Sequence, residues 1–300
     1  MGTMTDSLIP DAFRGLVDDA AIFPPGNAPL HDAVAAHTAR RSAPWADLVG
    51  AFVLKDTDLP LLSGTAAELT VVSTGGAGQV AGPLALARRL GLTVAGLEIA
   101  LRDADDLPGN ARRVVAAVDR ARDETGDDLT VHVELPQAEP TAGWLAAADV
   151  VAAAELRLKF RTGGIEADLF PAVPTVAAWI DAALDRETPF KCTAGLHHAV
   201  RHTDPATGFH HHGFLNVLAA TRTALDGGDV VAALAEEDGT ALVAALPDAD
   251  ALARTRRWFT SFGCCEVREP LEDLVDLGLV STDALADGTI DPATTPDEEN

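Results

Sequence analysis

Lysine is nearly absent from this 300-residue chain: of its 22 basic residues only Lys55, Lys159 and Lys191 are not arginine. Tyrosine is missing altogether and aromatic residues make up 5%, so the core must be built from Ala, Val and Leu. Three cysteines, two of them the neighbours Cys264 and Cys265, exclude a disulfide framework, because adjacent residues reach bridge geometry only with strain. A reducing cytoplasm is the compartment expected. No run approaches the roughly 18 apolar residues of a membrane span, and the opening MGTMTDSLIP lacks the basic-then-apolar pattern of an export leader. Positive charge is also short: 46 acidic residues give a net charge of −24, which repels phosphate backbones and anionic membrane surfaces. Neither nucleic acid nor a membrane is therefore expected as a partner. An acidic, lysine-poor surface of this kind suits high salt or a GC-rich coding sequence.

Each surviving lysine ends a short apolar run. An ammonium can lose its proton when buried and then act as a nucleophile or base, whereas a guanidinium cannot. The alternative is an Arg-biased composition with three leftovers. A shared position at strand ends favours a purpose.

Eight apolar or alternating runs recur, at residues 47–55, 67–74, 91–101, 128–135, 154–161, 188–195, 213–218 and 261–267, with Ala/Leu/Arg segments of helical spacing between them. This alternation predicts a parallel sheet, and eight units predict an α/β fold of the (β/α)8 TIM-barrel kind over 46–282. Residues 1–45 read as an N-terminal helical extension packing on the barrel, with a turn at Pro24-Pro25-Gly26 and a helix over 30–41. It would plug the barrel bottom or pair subunits of a homo-oligomer. Residues 283–300 read as a flexible acidic tail.

Period-two alternation sorts each strand into a helix-facing and an interior side. Lys159, Arg157 and Arg161 oppose Leu156, Leu158 and Phe160; Lys191 and Thr193 oppose Phe190 and Cys192; His132 and Glu134 oppose Val131 and Val133; Glu98 opposes Leu97 and Ile99; Lys55 opposes Phe52 and Leu54. Five strands thus send titratable groups inward. Buried ions cost several kcal/mol unless paired, so Glu98 and Glu134 are expected to neutralise some of the cations, and the cations left over imply an anionic ligand. A structural ion-pair network is the competing reading. Cationic neighbours and desolvation would both favour a neutral Lys159, ready to attack a carbonyl.

Lys159-Phe160-Arg161-Thr162-Gly163-Gly164 resembles the Lys-x-x-Thr-Gly signature of class I aldolases of the deoxyribose-phosphate type, and Lys191-Cys192-Thr193-Ala194-Gly195-Leu196 resembles that family's second lysine motif. The resemblance covers about 45 residues. It implies a TIM barrel and a Schiff-base mechanism in which Lys159 forms the imine and Lys191 lowers its pKa. Where the family continues with a Gly-Gly-Ile-Arg type phosphate loop, this chain has Leu196-His197-His198. Counting strands from residue 47 also puts the pair on the fifth and sixth, one earlier than in the family.

Six of nine histidines fall between 197 and 212, in a stretch whose Gly, Pro and Asp predict a loop over the mouth. Acid/base chemistry, anion binding and a divalent metal such as zinc all remain open for them. The leading expectation is a cofactor-free lyase acting on a small anionic carbonyl compound. Lys159 and Lys191 are its lysines, with Glu134, Glu98 and His198 moving protons. Arg161 and Arg201 hold the anion, with Lys55, His132, Thr193, His197, His212 and Asn216 lining the site. A metal-dependent hydrolase or isomerase using Glu98, Glu134, His198 and His212 is the rival, and a non-catalytic binder of an acidic metabolite the third reading. Ser73 to Gly78 reads as a tight turn in preference to an anion-cradling loop, and Cys264 with Cys265 as a small packed pair in preference to a reactive thiol.

Overall fold

A computed structural model describes residues 7–285 except 63, 127 and 128. Eight parallel strands close into a barrel: β1 (Val17–Asp19), β2 (Val49–Lys55), β3 (Glu68–Ser73), β4 (Thr93–Ala100), β5 (Thr130–Glu134), β6 (Arg157–Arg161), β7 (Phe190–Thr193) and, after a two-stranded hairpin of β8 (His202–Thr203) and β9 (His210–His211), β10 (Phe259–Cys264). Helices α1 (Leu30–Arg40), α2 (Ala81–Arg89), α3 (Leu107–Thr125), α4 (Ala142–Ala153) and α5 (Val173–Leu184) cover the first part of the barrel. The long connection from β7 to β10 carries α6 (Phe214–Leu225), α7 (Val230–Ala235), α8 (Gly239–Ala244) and α9 (Ala249–Thr255), and α10 (Arg268–Asp276) follows β10. The link from β2 to β3 is a 3-10 turn, Asp56–Leu61.

Seven expected strands are present, and the fold class is a TIM barrel as expected. Two assignments change. Residues 213–218 open α6, whose Phe214, Leu215, Val217 and Leu218 are all fully buried. A six-residue apolar run inside a fully buried helix carries no period that separates it from a strand. The eighth strand is instead β1, which pairs with β10 through Val17↔Phe262 and with β2 through Val17↔Val49. Of its three residues, Asp18 faces the barrel interior and Asp19 faces His37 and Arg40 of α1, so carboxylates on both sides interrupt the apolar pattern. The barrel therefore begins within the segment expected to be an extension, although the expected helix over 30–41 is there as α1. Adding β1 moves the two lysines to the sixth and seventh strands of the barrel. Of the tail expected over 283–300, residues 283–285 belong instead to a 3-10 turn, Thr282–Leu285, with Ala284 buried; residues 286–300 lie outside the described residues.

Packing follows the alternation. Phe160 of β6 stacks on Trp144 and Trp179 at centroid distances of 6.2 and 5.5 Å, and meets Phe190 of β7 at 5.2 Å. These rings seal the sheet against α4 and α5, which leaves Lys159 and Lys191 on the interior side. Contrary to the composition reading, one stretch, Ala167–Leu184, reaches membrane-span length with a mean hydropathy of 1.2. Its helical part, α5, lays Val176, Trp179, Ile180 and Ala183 into the core between sheet and neighbouring helices.

Candidate active site

Parallel strands bring their C-terminal ends to one mouth, and there a cavity of about 470 Å³ opens. Its floor is a ladder of alternating charges contributed by five strands. Lys191 Nζ lies 2.6 Å from Asp18 Oδ2 and 2.6 Å from Glu98 Oε1. Lys159 Nζ lies 2.5 Å from the other oxygen of Glu98 and 2.9 Å from Glu134 Oε2. Arg161 Nε closes the ladder, 3.2 Å from Glu134 Oε1. Register explains the contacts: Glu134, Lys159 and Lys191 are direct partners across β5, β6 and β7. Ser261 Oγ donates to Asp18 Oδ2 at 2.7 Å, and the backbone N–H of Ala51 donates to Oδ1.

This ladder corrects two electrostatic expectations. Burial would lift the Glu98 carboxyl, but Lys159 and Lys191 outweigh it and hold the pKa far below the usual range. Glu134 is held down in the same way by Lys159 and Arg161. Burial would likewise favour neutral amines, yet Glu98 and Glu134 raise Lys159 above its ordinary value, and Asp18 with Glu98 raises Lys191. Both lysines are ammonium ions at rest, not the neutral amines expected from their cationic neighbours. The excess of cations also shrinks, because β1 supplies Asp18, a third carboxylate against Lys159, Lys191 and Arg161.

The glycines of the two lysine motifs have a packing reason. A Cβ on Gly163 would lie 2.7 Å from the Gly195 Cα, so the turns after β6 and β7 touch backbone to backbone. Thr162 ties them, its N–H donating to the Thr193 carbonyl at 2.9 Å and its Oγ to that of Ala194 at 2.8 Å. Ala194 and Gly195 both take positive φ, 61° and 74°, turning the chain across the mouth.

The remaining expected residues divide. Thr193 and His197 line the cavity with Lys159, Lys191, Glu98, Glu134 and Arg161. His132 pairs in register with Glu98 and is buried with both ring nitrogens unpartnered among the described residues; burial, then Lys191, pushes its pKa well down, so the ring is neutral. Lys55 is exposed at the rim, its Nζ 5.6 Å from the Phe23 ring centroid, and does not line the cavity. Nor do His198, Arg201, His212 and Asn216, whose hydrogen bonds go to scaffold. His198 faces Asp273 at 3.2 Å. Asn216 accepts from the Arg201 N–H at 2.7 Å and donates to the carbonyls of Ala233 and Glu236. His212 Nε2 meets the Pro171 carbonyl at 2.8 Å, and burial pushes its pKa to about 4. The rival metal set therefore does not assemble: Glu98 and Glu134 are bound to lysines, and His198 and His212 to Asp273 and backbone. Among the described residues, the donors suited to a metal ion are His197, Cys264 and Glu269, whose ligating atoms lie within 4.8 Å of one another.

Asp18 and Arg102 are site residues that the sequence reading missed, and Cys265 is one that it assigned to packing. Asp18 was hidden in an unassigned strand, and Arg102 in the loop after β4; Cys265 lines the cavity beside His197. Ser73 does head a tight turn, its Oγ donating to the carbonyls of Gly76 and Gln79.

No protein-family model matches the chain, and no curated protein matches it in sequence. Among solved structures it is similar to the tetrameric deoxyribose phosphate aldolase from Aeropyrum pernix, with 13% identity and a TM-score of 0.52 over 92% of this chain and 100% of that one. At that identity the likeness establishes the barrel.

Proposed function

We propose that this protein is a Schiff-base lyase of the aldolase kind, acting on a small anionic carbonyl compound. One observation carries the reading: Lys159, 4% exposed, reaches the cavity floor between two carboxylates and beside a second lysine on the adjacent strand. Resting Lys159 is charged, so imine formation requires it to give up a proton. Glu134, 2.9 Å away and itself on the cavity wall, is the acceptor in this proposal. The freed Nζ then adds to the substrate carbonyl carbon, the carbinolamine loses water, and the protonated imine draws electrons from the carbon–carbon bond that is made or broken. Lys191, fixed by Asp18 and Glu98, keeps a positive charge near the imine. Arg161 and Arg102 at the wall are the groups for the substrate anion. Assembly as a homo-oligomer belongs to the same proposal, supported by the tetrameric structure with the same barrel.

The test is incubation with a panel of small aldehydes and 2-oxo acids, borohydride reduction and peptide mapping. An adduct is expected on Lys159, forming faster as pH rises, because its carboxylate neighbours favour the ammonium. Absence of adduct on both Lys159 and Lys191 would sink the imine.

A further inference from the structure

A second reactive group stands at the same mouth. Cys265, which follows β10, is half-buried and lines the cavity beside His197. Its Sγ lies 3.6 Å from His197 Nε2, and the other ring nitrogen, Nδ1, lies 2.7 Å from Glu269 Oε2 on α10. Sulfur, imidazole and carboxylate thus follow the order that activates a nucleophilic thiol: a base within reach of the thiol, and a third group orienting the base. The loop carrying His197 is pinned to α10, since the Ala199 N–H donates to Asp273 at 2.6 Å and His198 faces the same carboxylate.

Cys264 provides the contrast. It is buried, its thiol donates to the Glu266 carbonyl at 3.1 Å, and burial raises its pKa, so it stays a protonated packing group. Its proton is engaged there, and His197 Nδ1, 3.8 Å from the Cys264 sulfur, lies 2.7 Å from Glu269, which leaves Nε2 facing Cys265. The charged and titratable groups around the imidazole are Glu269 and Asp273 from α10, Cys264 and Cys265 from the end of β10, and His198 and His211 from the loop after β7.

We propose that Cys265, with His197 as its base and Glu269 holding the ring, is a nucleophilic site that captures the carbonyl carbon of an aldehyde entering the cavity. His197 Nε2 takes the Cys265 proton as the sulfur forms the C–S bond, the carbonyl π pair moves to oxygen, and that oxygen takes the proton back from Nε2. The product is a thiohemiacetal; nothing is oxidised and nothing leaves. Glu269 acts as a positioning residue, holding the ring so that Nε2 faces sulfur. No step involves Lys159.

The test is the rate of iodoacetamide labelling of the full chain at pH 7, read at each cysteine by fragmentation mass spectrometry. Cys265 should react at least tenfold faster than Cys264 or Cys192. His197→Ala should slow Cys265 by at least tenfold. Glu269→Gln, at a partly exposed carboxylate, should slow it as well and gives an independent reading should the alanine variant not fold. Propanal should slow the labelling reversibly, in Lys159→Arg as in the wild type. Labelling of Cys265 no faster than that of Cys264, a rate unchanged in both variants, no protection by propanal, or stoichiometric zinc that blocks labelling until chelated would overturn the proposal.

Discussion

Replacing Glu98 by Gln probes the centre of the ladder. The carboxylate is 2% exposed and touches two ammonium groups, at 2.5 and 2.6 Å. At an effective dielectric of about 20, each contact represents roughly 6 kcal/mol of raw attraction, most of it offset by desolvation. What decides the outcome is the charge left behind: removing one partner of a buried pair costs about 3–5 kcal/mol. In Glu98→Gln, Asp18 and Glu134 still face Lys191 and Lys159, so we expect the lower half of that range, about 3 kcal/mol at pH 7. For a chain of this size that is a fall in Tm of roughly 5 °C. The sign of the pH dependence follows from the depressed pKa of Glu98. Its contribution is fully present above the ordinary value of 4.5 and is lost as pH falls below it, so the gap between wild type and variant should narrow at pH 3 to 4. Thermal unfolding followed by circular dichroism at pH 7, 5 and 3.5 measures this. Equal stability at pH 7, or a gap that widens toward acid, would refute the claim that Glu98 is ionised between the two lysines.

Other outcomes follow from single contacts. Gly163→Ala would drive a Cβ to within 2.7 Å of the Gly195 Cα, which only backbone movement relieves, so a loss of about 1–3 kcal/mol is expected by denaturant titration. His212→Gln should flatten the acid limb of stability: the ring stays neutral to about pH 4, so the wild type loses stability as pH falls from 6.5 toward 4, and the variant should lose less across that window. Lys55→Ala should change stability by no more than about 0.5 kcal/mol and leave borohydride trapping unaltered, because Lys55 is exposed outside the cavity.

The interior faces were legible because apolar and titratable residues alternate along β4 to β7, and Phe160 and Phe190 on the outer side of β6 and β7 admit one orientation. Lys159, Lys191, Glu98, Glu134 and Arg161 could therefore be brought together from sequence. Asp18 could not, because β1 is three residues long and its carboxylates break the apolar pattern by which strands are found. Its absence left the charge count unbalanced and made the lysines look deprotonated. The histidines misled in the opposite sense. His198 and His212 sit in a loop over the mouth, yet tertiary partners such as Asp273 and the Pro171 carbonyl turn them into supports. Pairing of that kind depends on where α10 and the segment before α5 pack, and no spacing within residues 197–212 encodes it. Only His197 keeps a face on the cavity, and its role follows from Cys265 and Glu269, some seventy residues away in sequence.

The central claim is that Lys159 carries the covalent chemistry, and it is tested most directly by comparing the intact mass of wild type and Lys159→Arg after incubation with one trapped carbonyl compound and borohydride. Arginine keeps the positive charge between Glu98 and Glu134 but forms no imine at neutral pH. A single added mass in the wild type and none in the variant is the predicted result; equal labelling of both would contradict the account.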